Sequence, residues 1–224
     1  MYILEFEAQL RFGSYYRYAL IKKLKLDQCI NSSNKWLDIG CYDGTILRFI
    51  VAQEKIGIDI ETKRQKDVHI IKASGEYLPF KDNSLGVITA FDILEHIKRD
   101  FQVINQVENK LSKEGLFLLT VPHENENIFP KFLKKWLIFH KWKHVRYGYN
   151  KKILKGLFKG KWKLKFIYWN NNISNFLYFI LQFIWKILPT FTKLIIHKLI
   201  KIEFIRTKRY SSNHGHIIII ARKK

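Results

Sequence analysis

Cysteine, methionine and proline are scarce: the 224 residues include two Cys, one Met and four Pro. Two cysteines cannot build a disulfide framework. Neither Cys29 nor Cys41 stands in a CxxC or Cys/His spacing, so no metal site is expected. With only eleven glycines beside those prolines, a collagen-like or low-complexity chain is excluded. A long uncharged apolar run is also missing. The stretch that begins at Phe176 meets Lys186 before it reaches the roughly 20 residues of a membrane span. Arg11, Arg17, Lys22 and Lys23 interrupt the early apolar pattern, so no signal peptide is expected and a reduced, cytoplasmic compartment is the default.

Acidic residues are scarce in one half only. Residues 1–127 carry 17 Lys and Arg against 18 Asp and Glu; residues 128–224 carry 23 basic residues and a single acid, Glu203. The second half also holds 20 of the 34 aromatic residues. Bias toward Lys, Ile and Asn does not explain why acids vanish after Glu126. The net charge of +21 therefore points to a polyanionic partner, either nucleic acid or an anionic membrane surface. What is abundant sets the rest. Apolar residues at 47% and charged residues at 26% give a packed core, in one domain of ordinary size or one domain with an appendage.

The chain alternates between two periodicities. Leu4, Phe6, Leu10, Tyr15, Tyr18, Ala19 and Leu24 recur at helical spacing, followed by a turn cluster at 31–34. Short apolar strands are predicted at 35–39, 56–60, 68–72, 85–90 and 116–121, with helices after Gly44 and over 97–111. Beyond Pro130 a short helix is expected over 151–158, then strands over 163–169 and 216–222, the last built on Ile217 to Ile220. The expected organisation is an N-terminal helical segment (1–30), an α/β core (31–127), and a basic part (128–224) that completes the sheet. An apolar helical insertion at about 170–210 precedes the last strand. The fold class is α/β: a Rossmann-like, mostly parallel sheet with helices on both faces.

Residues 36–47, Trp-Leu-Asp-Ile-Gly-Cys-Tyr-Asp-Gly-Thr-Ile-Leu, carry the chemistry. A strand delivers Asp38, Gly40 and Gly44 bracket a turn, and a helix follows whose free N–H groups suit an anionic group. Asp59 ends the next strand, 21 residues after Asp38, where an acid can accept from both ribose hydroxyls. A dinucleotide G-x-G-x-x-G is absent, and Asp38 ahead of the first glycine would repel a pyrophosphate. A ligand with ammonium and sulfonium charges would welcome it.

These residues resemble the class I S-adenosylmethionine-dependent methyltransferases, in particular the methyltransferase type 11 group, over 34–123 and the closing strand. Asp38, Gly40 and Gly44 match the first motif, and Asp59 matches the ribose-binding acid. Leu78-Pro79-Phe80 and Leu94-Glu95-His96 match later landmarks. The resemblance implies S-adenosyl-L-methionine as cofactor. Cys41, Tyr42, Ile60, Ser74, Gly75, Glu76 and Phe91 would join those residues around it. Two departures stand out: Tyr42 replaces a glycine, and Ser74 replaces an acid that often faces the adenine.

An oxygen acceptor can require a base. His123 after the fifth strand, His96 after the fourth and His144 in the basic segment are the candidates, with His123 best placed. The Asn/Asp-Pro-Pro-aromatic tetrapeptide of nucleic-acid amino methylation is absent. Residues 176–202 are expected to form an interfacial hairpin bent at Pro189. Phe176, Phe179, Phe183 and Trp185 would face acyl chains, Lys186, Lys193 and Lys201 would reach headgroups, and Trp136, Trp142 and Trp169 could lie at headgroup depth. The alternative is a cap on the sheet or on a second subunit. The leading expectation is O-methylation of a small or amphiphilic acceptor at the inner membrane face: a lipid-linked sugar, a glycan precursor or a quinone-like lipid. An RNA methyltransferase is the second reading, with nucleic acid less favoured. A non-catalytic membrane-associated binding module is the third.

Overall fold

The computed structural model describes residues 12–31, 35–61, 68–159, 161–209 and 215–224. The expected helical positions Leu4, Phe6 and Leu10 and the turn at 32–34 lie outside them. The strands are β1 (Lys35–Ile39), β2 (Glu54–Asp59), β3 (His69–Lys72), β4 (Leu85–Phe91), β5 (Leu111–Pro122), β6 (Trp162–Trp169) and β7 (His216–Lys223). They form one sheet in the order β3-β2-β1-β4-β5-β7-β6. The first five pair in parallel, and β7 runs antiparallel between β5 and β6. The main helices are α1 (Phe12–Lys23), α2 (Leu26–Asn31), α3 (Thr45–Phe49), α4 (Asp100–Lys110), α5 (Lys151–Leu157), α6 (Asn172–Ile187) and α7 (Pro189–Arg209).

The central strands read as continuous apolar runs because both faces of the sheet are covered. Alternation assigns Trp36, Val87, Phe91, Leu118 and Ile218 to one face, where α1, α6 and α7 pack. Leu37, Ile88, Leu119 and Ile219 take the other face, under α4 and α5. Local chemistry marks the helix starts. Asn150 caps α5 by accepting from Ile153 N at 2.9 Å, and Pro189 occupies the first position of α7. The helix expected over 97–111 begins only at Asp100, because Leu94–His96 form a separate 3₁₀ turn.

Two helices, α6 and α7, occupy the chain between β6 and β7. Leu181, Trp185, Ile196 and Ile200 turn inward. Trp185 and Trp169 are therefore core residues, which corrects the expectation that they face lipid. Lys193 is also buried, with its ammonium 5.6 Å from the Tyr15 ring centroid, so it does not reach outward. Phe179 packs on Ile128, Leu137 and Ile138. The outward row of α6 is instead Phe176, Ile180, Phe183 and Ile187, spaced at i, i+4, i+7 and i+11.

Glu203, the lone acid of the second half, is fully buried. Its carboxylate accepts from Tyr16 Oη at 2.7 Å, from Ser174 N at 2.8 Å and from Trp169 Nε1 at 3.3 Å. It thus ties α7 to α1, α6 and β6. Glu203→Ala would leave those donors without their buried acceptor and should cost about 2–4 kcal/mol. Urea unfolding measures this. A midpoint unchanged from wild type would contradict the role of Glu203 as the tie.

Candidate active site

The carboxyl ends of β1, β2, β4 and β5 meet at one edge of the sheet, the usual place for ligand binding in such folds. Asp38 and Thr89 are register partners on β1 and β4. The Thr89 hydroxyl donates to Asp38 Oδ1 at 2.6 Å and itself accepts from Trp36 Nε1 at 2.9 Å. Burial pushes the Asp38 carboxyl up to about 7, against the opposing pull of the Thr89 hydrogen bond and Arg17.

The chain then turns. Gly40 (φ +73°) and Gly44 (φ +67°) are left-handed, and a Cβ on Gly40 would stand 2.6 Å from Ile93. Tyr42 is left-handed as well (φ +48°), and its N–H donates to Asp59 Oδ2 at 2.8 Å. Asp59 Oδ1 accepts from Glu61 N at 2.9 Å. Two backbone donors thus fix the carboxylate at the end of β2. Cys41 is buried against Gly57, and burial keeps its thiol protonated. The helix after the turn differs from expectation. It has only five residues, and Asp43 Oδ1 already accepts from Thr45 N and Thr45 Oγ1 at 3.0 and 2.6 Å. It offers little free dipole to an anion.

Ile60, next to Asp59, is 67% exposed. After β3, Ser74 Oγ accepts from Glu76 N at 3.2 Å, Gly75 is buried beneath Ile39 and Val103, and Glu76 pairs with Arg99 at 2.8 Å. Phe91 departs from expectation: it is buried in the core with Trp36 and Leu118, not on the cleft wall.

The densest electrostatics lie one strand over. Asp92 (φ +54°) receives Arg17 Nη2 at 2.7 Å and Thr120 Oγ1 at 2.7 Å, and faces His216 Nε2 at 3.2 Å. His216 Nδ1 meets Glu126 Oε1 at 3.0 Å, and Asn171 and Asn175 also donate to that oxygen. Burial opposes every charge here. Even so, Arg17 and then His216 hold Asp92 well below the usual carboxylate range. Glu126 and Asp92 raise His216 well above the ordinary imidazole range. Glu95 behaves differently. Burial, then the Asp92 charge, push it up to about 8.

The three histidine candidates separate. His123 ends β5, but its Nδ1 accepts from Asn125 N at 3.0 Å. In that hydrogen bond the neutral ring carries its proton on Nε2. His96 and His144 come together, with ring centroids 4.6 Å apart. Burial, and then His96, pull His144 down to about 4, and burial lowers His96. Sequence reasoning passed over Arg17, Asp92, Glu126 and His216. Only Asp92 carried a signal, lying three residues before Glu95 in a recognised segment. A cavity of about 620 Å³ lies at the opposite edge of the sheet, lined by Lys35, Ser84, Glu114 and Arg222, and shares no residue with this site.

The methyltransferase domain family matches residues 12–160. The chain belongs to this family. Its sheet order and single antiparallel strand are those of the class I methyltransferase fold. A SAM-dependent methyltransferase from Archaeoglobus fulgidus superposes with a TM-score of 0.62 at 16% identity, covering 100% of both chains. Phosphoethanolamine N-methyltransferase 2 of Haemonchus contortus, solved with S-adenosyl-L-methionine, gives 0.62 at 15% identity over 92% of this chain and 52% of its own. An uncharacterised Methanocaldococcus jannaschii protein, MJ1252, is 33% identical over 132 residues, which is 55% of this chain and 43% of that protein. A second from the same organism, MJ0638, is 27% identical over 109 residues, 47% of this chain and 48% of its own. The chain thus spans under half the length of these two curated relatives.

The charge cluster has a pH signature. Because His216 is raised, its contribution is fully present below the ordinary imidazole value of about 6.5 and is lost as pH rises through its folded value. Because Asp92 and Glu126 are lowered, theirs is present above about 4.5 and is lost as pH falls through their folded values. His216→Asn should cost about 2–4 kcal/mol near pH 6 and flatten the alkaline decline. Unfolding curves across pH test this; an unchanged alkaline slope would remove His216 from the cluster.

Proposed function

We propose that this protein transfers the methyl group of S-adenosyl-L-methionine to a hydroxyl of an amphiphilic acceptor presented at an anionic membrane surface. The residues fit the cofactor. Gly40 is left-handed and packed against Ile93, so the turn that would carry the cofactor has no room for a Cβ there. The Asp59 carboxylate, held by two backbone donors, keeps lone pairs for the ribose hydroxyls. Asp38 lies behind the turn, where an ammonium would be bound, and Ile60 offers an exposed apolar surface to the adenine. Ser74 and Gly75 would serve the adenine edge. The cofactor supplies an electrophilic methyl on sulfur. The chain aligns the acceptor oxygen behind it and excludes water.

The observation that carries the acceptor class is a set of exposed apolar side chains on the segment after β5 and on α6. Phe132 and Trp136, from the segment that follows β5, are 85% and 52% exposed. Phe129 joins them to the α6 row through Phe176, with ring centroids 4.7 Å apart. Lys131, Lys135, Lys141 and Lys186 are exposed around it, and no acid of the second half offsets them, because Glu203 is buried. Among the described residues no helix is long and apolar enough to cross a membrane. The combination supports docking in the interface, with the acceptor drawn from lipid-linked sugars, glycan precursors or quinone-like lipids.

Two measurements test the reading. Asp59→Ala should weaken cofactor binding by about 1.5–3 kcal/mol in calorimetry, and Gly40→Val should abolish it; unchanged affinity in both would sink the cofactor assignment. In flotation, the protein should partition with anionic but not neutral vesicles, and salt should weaken it. Phe176→Asp with Phe183→Asp should release it. If the variant loses a dimer instead, the apolar row is a subunit interface. Binding to RNA with no partition to vesicles would favour the RNA reading.

A further inference from the structure

We propose that Glu95, His96 and His144 form a binding site for a divalent transition metal of the zinc type, which holds an oxygen of the methyl acceptor. One carboxylate oxygen and one nitrogen from each ring all lie within 4.8 Å of one another. Two buried polar atoms at this place, Glu95 Oε2 and His144 Nδ1, have no hydrogen-bond partner. Glu95 is 1% exposed, so its oxygen has no access to bulk water. Native chains rarely leave such groups unsatisfied without a functional reason. A cation between the carboxylate and the two rings would satisfy both orphan atoms at once.

The surroundings are built to hold these ligands. Val145 N donates to the Glu95 carbonyl at 2.9 Å, which joins the two segments beside the ligands. The His96 ring hydrogen-bonds the Lys143 carbonyl, the kind of bond that fixes which imidazole nitrogen faces a metal. Lys143 itself is left-handed (φ +57°), a strained conformation directly before His144. The preceding turn, Leu137–Lys141, is a π-helix, a form that concentrates at functional sites.

Two imidazoles and one carboxylate are the donor set of open catalytic zinc sites, which keep a further position for water or substrate. Imidazole donors favour zinc or iron over magnesium or calcium. Zinc bonds of about 2.0–2.2 Å require small side-chain rotations that draw the ligand atoms together. In the open position the acceptor hydroxyl would lose its proton to water at a lowered pKa. Its oxygen lone pair then forms the O–CH₃ bond as the S–CH₃ bond breaks, and sulfur keeps the electrons of the broken bond. Nothing is oxidised or reduced. The acceptor role rests on the proposed function; the metal site does not.

The full chain, stripped with chelator, should bind one equivalent of Zn²⁺ in calorimetry and ignore Mg²⁺. Glu95→Gln and His144→Ala should each weaken binding on the order of 100-fold, while His140→Ala, an exposed histidine outside the cluster, should not. Circular dichroism shows that each variant is folded. The wild type loaded with Co²⁺ gives a readout that needs no variant: intense visible bands of a four- or five-coordinate site. A weak octahedral spectrum, no saturable Zn²⁺ binding, or binding that survives both substitutions in folded protein would overturn the proposal. Zinc uptake without methyl transfer would instead count against the proposed function alone.

Discussion

Asp92 is the constraint on which the site depends. It leaves β4 in a left-handed conformation and joins Arg17 from α1, Thr120 from β5 and His216 from β7. Through His216 the cluster extends to Glu126, and from there to Asn171 and Asn175 at the start of α6. Elements far apart in the chain are thus pinned to one edge of the sheet. Charges held largely out of water are costly alone, so each is stabilised by its partner. The 3₁₀ turn after β4 follows this anchor closely, and Ile93 between them packs against Gly40 of the turn after β1.

The second organising feature is the separation of signs. Four acids of the first half, Asp38, Asp59, Asp92 and Glu95, stand at the carboxyl ends of the strands or just beyond them. The second half has one acid, and the fold hides it as the tie among α1, β6, α6 and α7. The exposed surface of that half is therefore aromatic, aliphatic and cationic. That surface is the feature on which the proposed amphiphilic acceptor rests.

Much of the fold was legible because strands buried on both faces announce themselves as apolar runs, and Gly40, Gly44, Asp38 and Asp59 sit at fixed places along them. The turn chemistry was less so. Nothing in the spacing showed that the Asp43 carboxylate would take up the Thr45 N–H or that the helix would stop after five residues. Helical periodicity could not tell which apolar face of α6 points inward, since both faces are apolar; Trp185 and Phe176 exchange roles depending on that one rotation. The charge cluster was illegible for a different reason. Its members, from Arg17 to His216, come from segments whose adjacency exists only after the sheet closes. Glu95 and His96 were visible as a landmark, but His144 joins them only through the segment fixed by Val145 and Arg146.

Methyl transfer to an amphiphilic acceptor, the proposed activity, is open to one direct measurement. The purified protein is incubated with S-adenosyl-L-methionine labelled in its methyl group, together with membrane lipid extract and total RNA. The products are then separated by solvent partition. Label is expected in the organic or interfacial fraction, dependent on Asp59 and on the lipid extract. Label confined to RNA, or no transfer by a protein that binds the cofactor, would contradict the proposed activity.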